Sequence, residues 1–252
     1  MSTQLLIYEN TIPLSKERHA GWSVEVGADF GYTKALNALP LLAAEFVVAS
    51  REYPVVFSQA GEVIQPVVLL GMRGQENLYL DKANHWTAQY IPAFLRRYPF
   101  VFSRSEDGKT FTLCIDESFT GFNQKGKGQP LFGEDGAISP YVDNVLKFLQ
   151  DFQTEHAKTQ AFCKKLDEFE LFQSQNALWT GPTGEKVALT GFMTIDRAKL
   201  QAMPPKVLSG MVGTGELDLI YAHLHSLNNF NEFKNKMAAE AAETAPPAPG
   251  KP

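Results

Sequence analysis

Residues 185–230 place the strongest constraint on the fold, because they combine a strand pattern with a series of short helix signals. Apolar and polar residues alternate over 185–196, which predicts a strand with one face on a core. Asp196 stands where a helix N-cap is expected, and apolar residues at helical spacing predict a last helix over 216–227. A strand followed by consecutive helices, without regular strand–helix–strand alternation, favours an α+β fold over a doubly wound one.

The longest helical pattern begins at Ser139-Pro140, where serine suits the N-cap and proline the first helical position. Residues suited to a core then follow at spacings of three and four, which indicates one long helix, or two in line, packed on the core. This stripe consists of Val142, Val145, Leu149, Phe152, His156, Thr159, Cys163 and Leu166. We therefore expect a mostly antiparallel or mixed sheet, flanked by this helix and by the C-terminal helices.

Several other segments carry local signals. The apolar run 66–71 predicts a strand buried on both faces, which we expect to pair with residues 77–81 as a hairpin. The alternation in 111–115 predicts a strand with a polar second face. Residues 41–51 are predicted to be helical, and the glycine-rich and charged segment 121–136 to be a long surface loop.

Composition limits the class of protein. The 252 residues are 44% hydrophobic, which is enough for a real core, and the net charge of -5 argues against a nucleic-acid partner. No apolar run approaches the roughly 18 residues of a membrane span, and the N-terminus lacks a secretory-signal pattern. Two cysteines suit a reduced, cytoplasmic protein. We expect one domain over residues 1–233 and a disordered, Ala/Pro-rich tail over 234–252.

The common catalytic and cofactor-binding motifs are absent. His223 and His225 lie two apart on a predicted helix and therefore point to different faces, unlike a metal-binding pair. We expect neither a metal nor a cofactor, and enzymatic activity is less favoured than a binding role. Catalysis stays open, because many sites are assembled from distant residues.

Seven residues are candidates for a partner or ligand site. Arg96, Arg97 and Tyr98 form the densest cationic and aromatic patch, which suits binding of a carboxylate or phosphate. The alternative is a helix whose arginines complement its C-terminal dipole while its aromatic residues pack inward. The other four candidates are His19, Trp22, Asp116 and Glu117.

The other candidates also have ordinary structural explanations. His19 is either a base or ligand beside the aromatic wall of Trp22, or a polar loop residue. Asp116 and Glu117 suit a paired acid and base, but acids at strand ends more often cap the following turn. Cys114, next to these acids, is expected to be a buried and unreactive thiol because acidic neighbours disfavour the thiolate.

Taken in order, segments along most of the chain resemble the SapC family. The matching segments are Tyr8-Glu9, Pro13-Leu14 and His19; Pro40-Leu41 through Glu45-Phe46; Tyr53-Pro54; Ile91-Pro92-Ala93-Phe94 through Arg96-Arg97-Tyr98-Pro99-Phe100; Leu113-Cys114-Ile115-Asp116-Glu117; Leu189-Thr190-Gly191-Phe192 through Asp196; and Leu219-Ile220-Tyr221-Ala222-His223-Leu224 with Ser226-Leu227. The resemblance implies a role in surface-layer protein export or presentation in bacteria. It also implies gene neighbourhoods with outer-membrane receptors and halogenase-like proteins, and it supplies no catalytic residue.

The leading hypothesis is therefore a non-enzymatic accessory protein of the bacterial surface layer or envelope that acts through contacts with a protein partner. The alternative is a small-molecule-binding protein, or an enzyme of unknown reaction, with a site near Arg96/Arg97 and Asp116/Glu117.

Overall fold

The computed structural model describes residues 6–27, 29–105, 110–180 and 184–244. Its strands are β1 (Thr11–Pro13), β2 (Ser23–Val24), β3 (Ala38–Pro40), β4 (Val55–Ala60), β5 (Val63–Leu69), β6 (Phe100–Arg104), β7 (Phe111–Asp116), β8 (Phe122–Asn123), β9 (Gln129–Pro130), β10 (Phe172–Thr180) and β11 (Lys186–Ile195). Its α-helices are α1 (Lys16–His19), α2 (Phe46–Ala49), α3 (Ala93–Arg96), α4 (Pro140–Glu168), α5 (Arg197–Gln201), α6 (Pro205–Gly213), α7 (Glu216–Ser226) and α8 (Phe230–Thr244).

The strands form three sheets, and all strand pairs among the described residues are antiparallel. The largest sheet has the order β10-β11-β4-β5-β3, and two three-stranded sheets have the orders β1-β7-β6 and β8-β2-β9. The sheets are antiparallel, and the long helix α4 and the C-terminal helices accompany them, so the predicted α+β class is confirmed.

The long helix α4 links two hydrophobic clusters. Ser139 caps it by accepting a hydrogen bond from the Val142 backbone N–H, and proline occupies its first turn, as the sequence predicted. Its N-terminal half packs Leu149 against the cluster under the β1-β7-β6 sheet. Its C-terminal half packs Phe162 and Leu166 against the larger cluster under the five-stranded sheet. The apolar stripe thus produces a single helix of 29 residues.

The unit that contains β11 and the helices after it agrees with the sequence pattern, with one difference. The Asp196 carboxylate accepts hydrogen bonds from the backbone of Ala198 and Lys199 and so caps α5. The alternation is interrupted where a bulge shifts the β10–β11 register between Gln175 and Ala177. Beyond the bulge Phe192 is buried, since helices cover the face that the pattern left to solvent.

The predicted pairing of residues 66–71 with 77–81 is wrong. The buried run is a strand, but its partners are β4, paired from Val55↔Val68 to Ala60↔Val63, and β3. Residues 77–81 form no strand and contribute one isolated bridge, Leu80↔Trp86. The sequence pattern identified the strand but assigned it the wrong hairpin partner, because β4 and β5 are joined by a two-residue turn at Gly61 and Glu62, in which Gly61 has a φ of 63°.

Two other segments differ from the expected local structure. Residues 121–136 contain β8 and β9, which flank β2 in a small sheet, so the segment is more ordered than the predicted loop. The predicted helix over 41–51 is shorter and consists of a 3-10 turn at Ala43–Glu45 followed by α2.

Helix α8 lies at the boundary between the predicted domain and the predicted tail. It spans Phe230–Thr244 and so includes the first residues of the segment for which we predict disorder. Phe233 and Met237 are buried in the larger cluster, and the Phe233 ring packs edge-on against Tyr79. The remainder of the predicted tail, residues 245–252, lies outside the described residues.

Candidate functional site

His19, Trp22 and Glu117 come together at the end of α1. The His19 imidazole is fully buried and packs edge-to-face on Trp22, with ring centroids 5.0 Å apart. The Ser15 N–H donates to its Nδ1 at 3.1 Å, and its Nε2 lies 2.9 Å from Glu117 Oε1. Both ring nitrogens are thus engaged within the fold, so neither is available as a general base.

Glu117 is held by two cationic or polar partners at once. Arg18 donates to it through both Nε and Nη2, at 2.6 and 2.5 Å. The hydrogen bond from Arg18, followed by that from His19, keeps the pKa of the Glu117 carboxyl below its usual range. The ionised carboxylate therefore links α1 to the end of β7 and has a structural role.

Asp116 is the last residue of β7 and has different hydrogen-bond partners from Glu117, which follows it in the turn. Its carboxylate is completely buried and accepts the backbone N–H groups of Glu9, Asn10 and Ser118 at 2.9–3.1 Å, and the Ser118 hydroxyl at 2.6 Å. Burial acts to raise the pKa of this carboxyl, but the hydrogen bonds together lower it. Asp116 therefore caps the following turn and fixes the N-terminal segment, and it does not pair with Glu117 as acid and base.

Arg96 and Arg97 lie in different environments. The guanidinium of Arg97 is buried over the rings of Phe94 and Phe152, 4.4 and 4.7 Å from their centroids. Burial lowers the pKa of Arg97. Arg96 is exposed, donates from Nε to the Ile91 carbonyl at 3.0 Å and lies 5.3 Å from the Phe148 ring centroid. The two guanidinium groups therefore do not converge on one anion.

Tyr98 connects these groups to an open cleft. Its hydroxyl lies 3.4 Å from Asp116 Oδ2, and its ring contacts those of Tyr8 and Tyr32 at centroid distances of 5.2 and 4.4 Å. We call the cavity beside these three rings the tyrosine cleft; its volume is about 470 Å³. Its other walls include Leu6, Glu9, Glu25, Asp29, Ser118 and Phe119.

A smaller recess of about 170 Å³ adjoins the tyrosine cleft. It shares Tyr32, Tyr98 and Phe119 with the cleft, and Val26 and Arg96 border it. Of the seven candidates, the structure thus places only Tyr98 and Arg96 at this open surface. Five further residues of this surface are not among the candidates from the sequence: Tyr8, Glu9, Glu25, Asp29 and Tyr32. Of these, only Tyr8 and Glu9 belong to the segments that resemble the SapC family.

A second groove, of about 670 Å³, lies between the β6–β7 hairpin and α4. Cys114 and His156 line it together with Phe102 and Phe111. Burial raises the pKa of the Cys114 thiol, which keeps the sulfur protonated. The groove therefore contains no activated nucleophile at Cys114, in agreement with the expectation of an unreactive cysteine.

The described residues contain no group of three or more His, Cys, Asp or Glu side chains placed to hold a metal ion. His223 is buried in the core and His225 is exposed, so the two point to different faces as predicted. Within the described part of the chain, no helix is both long and apolar enough to cross a membrane.

Comparison with known proteins identifies a family without identifying an activity. No curated protein and no solved structure matches the chain. The family model SapC matches residues 14–233, which include most of the described fold and the Tyr32, Tyr98 and Phe119 walls of the tyrosine cleft. The chain therefore belongs to the SapC family.

Proposed function

We propose that this chain is a non-enzymatic accessory protein that acts in the export or presentation of bacterial surface-layer or envelope proteins. In this proposal it works from the cytoplasm and through contacts with a protein partner. Membership of the SapC family supports the pathway. The tyrosine cleft supports the mode of action, because it is an open surface that combines aromatic walls with exposed aliphatic residues at its rim.

The observation that supports a protein contact most directly is the exposed aliphatic rim of the cleft. Leu6 lines the cleft and is 46% exposed, and Val26 lines the adjoining recess and is 55% exposed. Exposed aliphatic residues beside tyrosine rings are typical of protein contact surfaces, where aromatic residues supply most of the binding energy. Tyr8, Tyr32 and Tyr98 are all partly or largely buried, so they form a preorganised wall.

The bonding of the polar candidates favours a binding role over catalysis. His19, Asp116 and Glu117 each have their polar atoms engaged by neighbouring backbone or side-chain groups. A general acid or base needs an atom within reach of a substrate. None of these three residues lines the tyrosine cleft.

Val26→Arg is expected to abolish most partner recovery, because it places a long charged side chain at the rim. We expect a tagged wild-type chain, expressed at native level in its source bacterium, to co-purify with an envelope, secreted or pathway protein in stoichiometric amount. Quantitative mass spectrometry should show that the variant recovers about tenfold less partner than wild type. A tenfold change in affinity corresponds to a loss of about 1.4 kcal/mol of binding free energy.

The matched control is Val212→Arg, which makes the same change at a valine that is 63% exposed on α6. It should recover the partner as the wild-type chain does. Recovery of the chain alone, or equal losses in the two variants, would contradict the proposed contact site.

A small-molecule-binding role is the second candidate, and the size of the cleft favours it. A volume of about 470 Å³ lies within the range of small-molecule sites, and tyrosine rings beside carboxylates are typical of their linings. If the chain is recovered alone, a thermal-shift screen of metabolites on wild-type and Tyr32→Leu protein would identify ligands of the cleft. A ligand that stabilises only the wild-type chain would establish this role.

A further inference from the structure

The walls of the tyrosine cleft carry acidic side chains, while the nearby basic groups are Arg96, at the adjoining recess, and Arg97, which lies 5.6 Å from the Tyr8 ring centroid. Glu9, Glu25 and Asp29 line the cleft, and no lysine or arginine does so among the described residues. Glu9 and Glu25 are exposed and form no ion pair with another described residue, while Asp29 uses one oxygen to accept the Gly31 N–H at 2.8 Å. Carboxylates that converge on one cavity raise the local concentration of a cation.

The aromatic walls define what kind of cation fits. Tyr98 packs on Tyr32 and edge-on to Phe119, at centroid distances of 4.4 and 5.2 Å, so rings and carboxylates face the same space. The electron-rich face of an aromatic ring attracts an organic cation. The carboxylates do not meet as a set able to hold a metal ion among the described residues, which favours an organic cation over a divalent metal.

We propose that the tyrosine cleft binds the guanidinium group of an arginine side chain on an extended segment of the protein partner. This inference rests on the proposed function, which supplies the partner. The planar guanidinium can lie on a tyrosine ring and donate hydrogen bonds to carboxylates at the same time. The exposed Leu6 and Val26 at the rim then contact residues next to the arginine.

Peptide binding tests the inference without the natural partner. The probe is the pentapeptide Ac-GSRSG-NH2, titrated into the full chain by isothermal calorimetry or NMR. We expect a dissociation constant of about 1 mM, as for a small ligand with few contacts. The same peptide with citrulline replaces the cation by a neutral group of similar shape and should bind at least about tenfold more weakly. Added salt should weaken binding of the arginine peptide and leave binding of the citrulline peptide unchanged.

Variants of the cleft separate the two contributions to binding. Glu25→Gln should weaken binding of the arginine peptide about threefold or more, because it removes one exposed negative charge. Tyr32→Leu should weaken it by a similar factor, whereas Tyr32→Phe keeps the ring face and should retain binding. Glu62→Gln, at an exposed glutamate between β4 and β5, is the matched control and should leave binding unchanged.

The outcomes distinguish the inference from the proposed function. Equal affinity for the arginine and citrulline peptides, or an unchanged affinity in Glu25→Gln, would overturn the guanidinium site even if a partner is recovered from cells. Arginine-selective binding that depends on Glu25 and Tyr32 supports the site, and it does so even if no partner is recovered, in which case only the proposed function fails.

Discussion

Acidification from pH 7 to pH 4 is expected to remove about 3 kcal/mol of stability through His223 alone. Burial lowers the pKa of His223 from its ordinary 6.5 to about 4 in the folded chain. Its Nδ1–H donates to the Val55 carbonyl at 2.8 Å, and its Nε2 accepts the Ile195 N–H at 3.0 Å. The neutral imidazole thereby joins α7 to β4 and to the end of β11.

The sign follows from proton binding. Between pH 6.5 and pH 4 the unfolded chain protonates this histidine and the folded chain does not, so stability is complete above about pH 6.5 and decreases toward pH 4. Chemical denaturation of wild type and His223→Gln over this range should show a flatter pH dependence in the variant. His225→Gln, two residues away and exposed, is the control and should follow wild type. Parallel curves for wild type and His223→Gln would contradict this assignment.

Asp116→Ala is expected to lower the free energy of unfolding by about 4 kcal/mol, because hydrogen bonds to a charged group contribute more than neutral ones and several are lost together. The backbone groups of Glu9 and Asn10 lose their acceptor, and so does the turn at Ser118. Because Asp116 positions the segment that carries Tyr8, the variant should also lose affinity for the arginine peptide.

Urea denaturation at pH 7 measures the effect. Asp135→Ala removes an exposed loop carboxylate whose side chain accepts the Ala137 N–H at 3.0 Å, and should cost less than about 1 kcal/mol. Since hydrogen bonds lower the pKa of Asp116, its contribution is present above the ordinary value of 3.8 and is lost as pH falls through the folded pKa. A cost for Asp116→Ala as small as that of the control would show that the N-terminal segment is held by other contacts.

Local signals predicted the elements whose cause is local. The Ser139-Pro140 start and the apolar stripe after it correspond to α4, and Asp196 caps α5. The alternation at residues 111–115 corresponds to β7, but burial does not alternate along it, because Phe111 is exposed and Cys114, Ile115 and Asp116 are all buried. Capping and amphipathic spacing depend on neighbours within a few residues, so the chain alone contains this information.

Pairing and burial required distant parts of the chain. The run at 66–71 pairs on one edge with β4, through the short turn at residues 61–62, and on its other edge with β3, almost thirty residues earlier in the chain. The turn is a local feature, but the pairing with β3 depends on the packing of the core. The segment after residue 233 has few large apolar groups, yet Met237 packs in the core and α8 extends beyond it.

The candidate site shows the same division. The sequence determined the α+β class, the helix caps and a set of polar residues near Tyr98, together with a family resemblance that comparison with the SapC model supports. Only the tertiary structure decided that Asp116, Glu117 and His19 are occupied by internal hydrogen bonds. It also decided that Tyr8, Tyr32 and Tyr98 share one cleft with acidic residues. Residues so far apart in the chain meet only when the sheets and helices pack, because no periodic pattern relates positions on different elements.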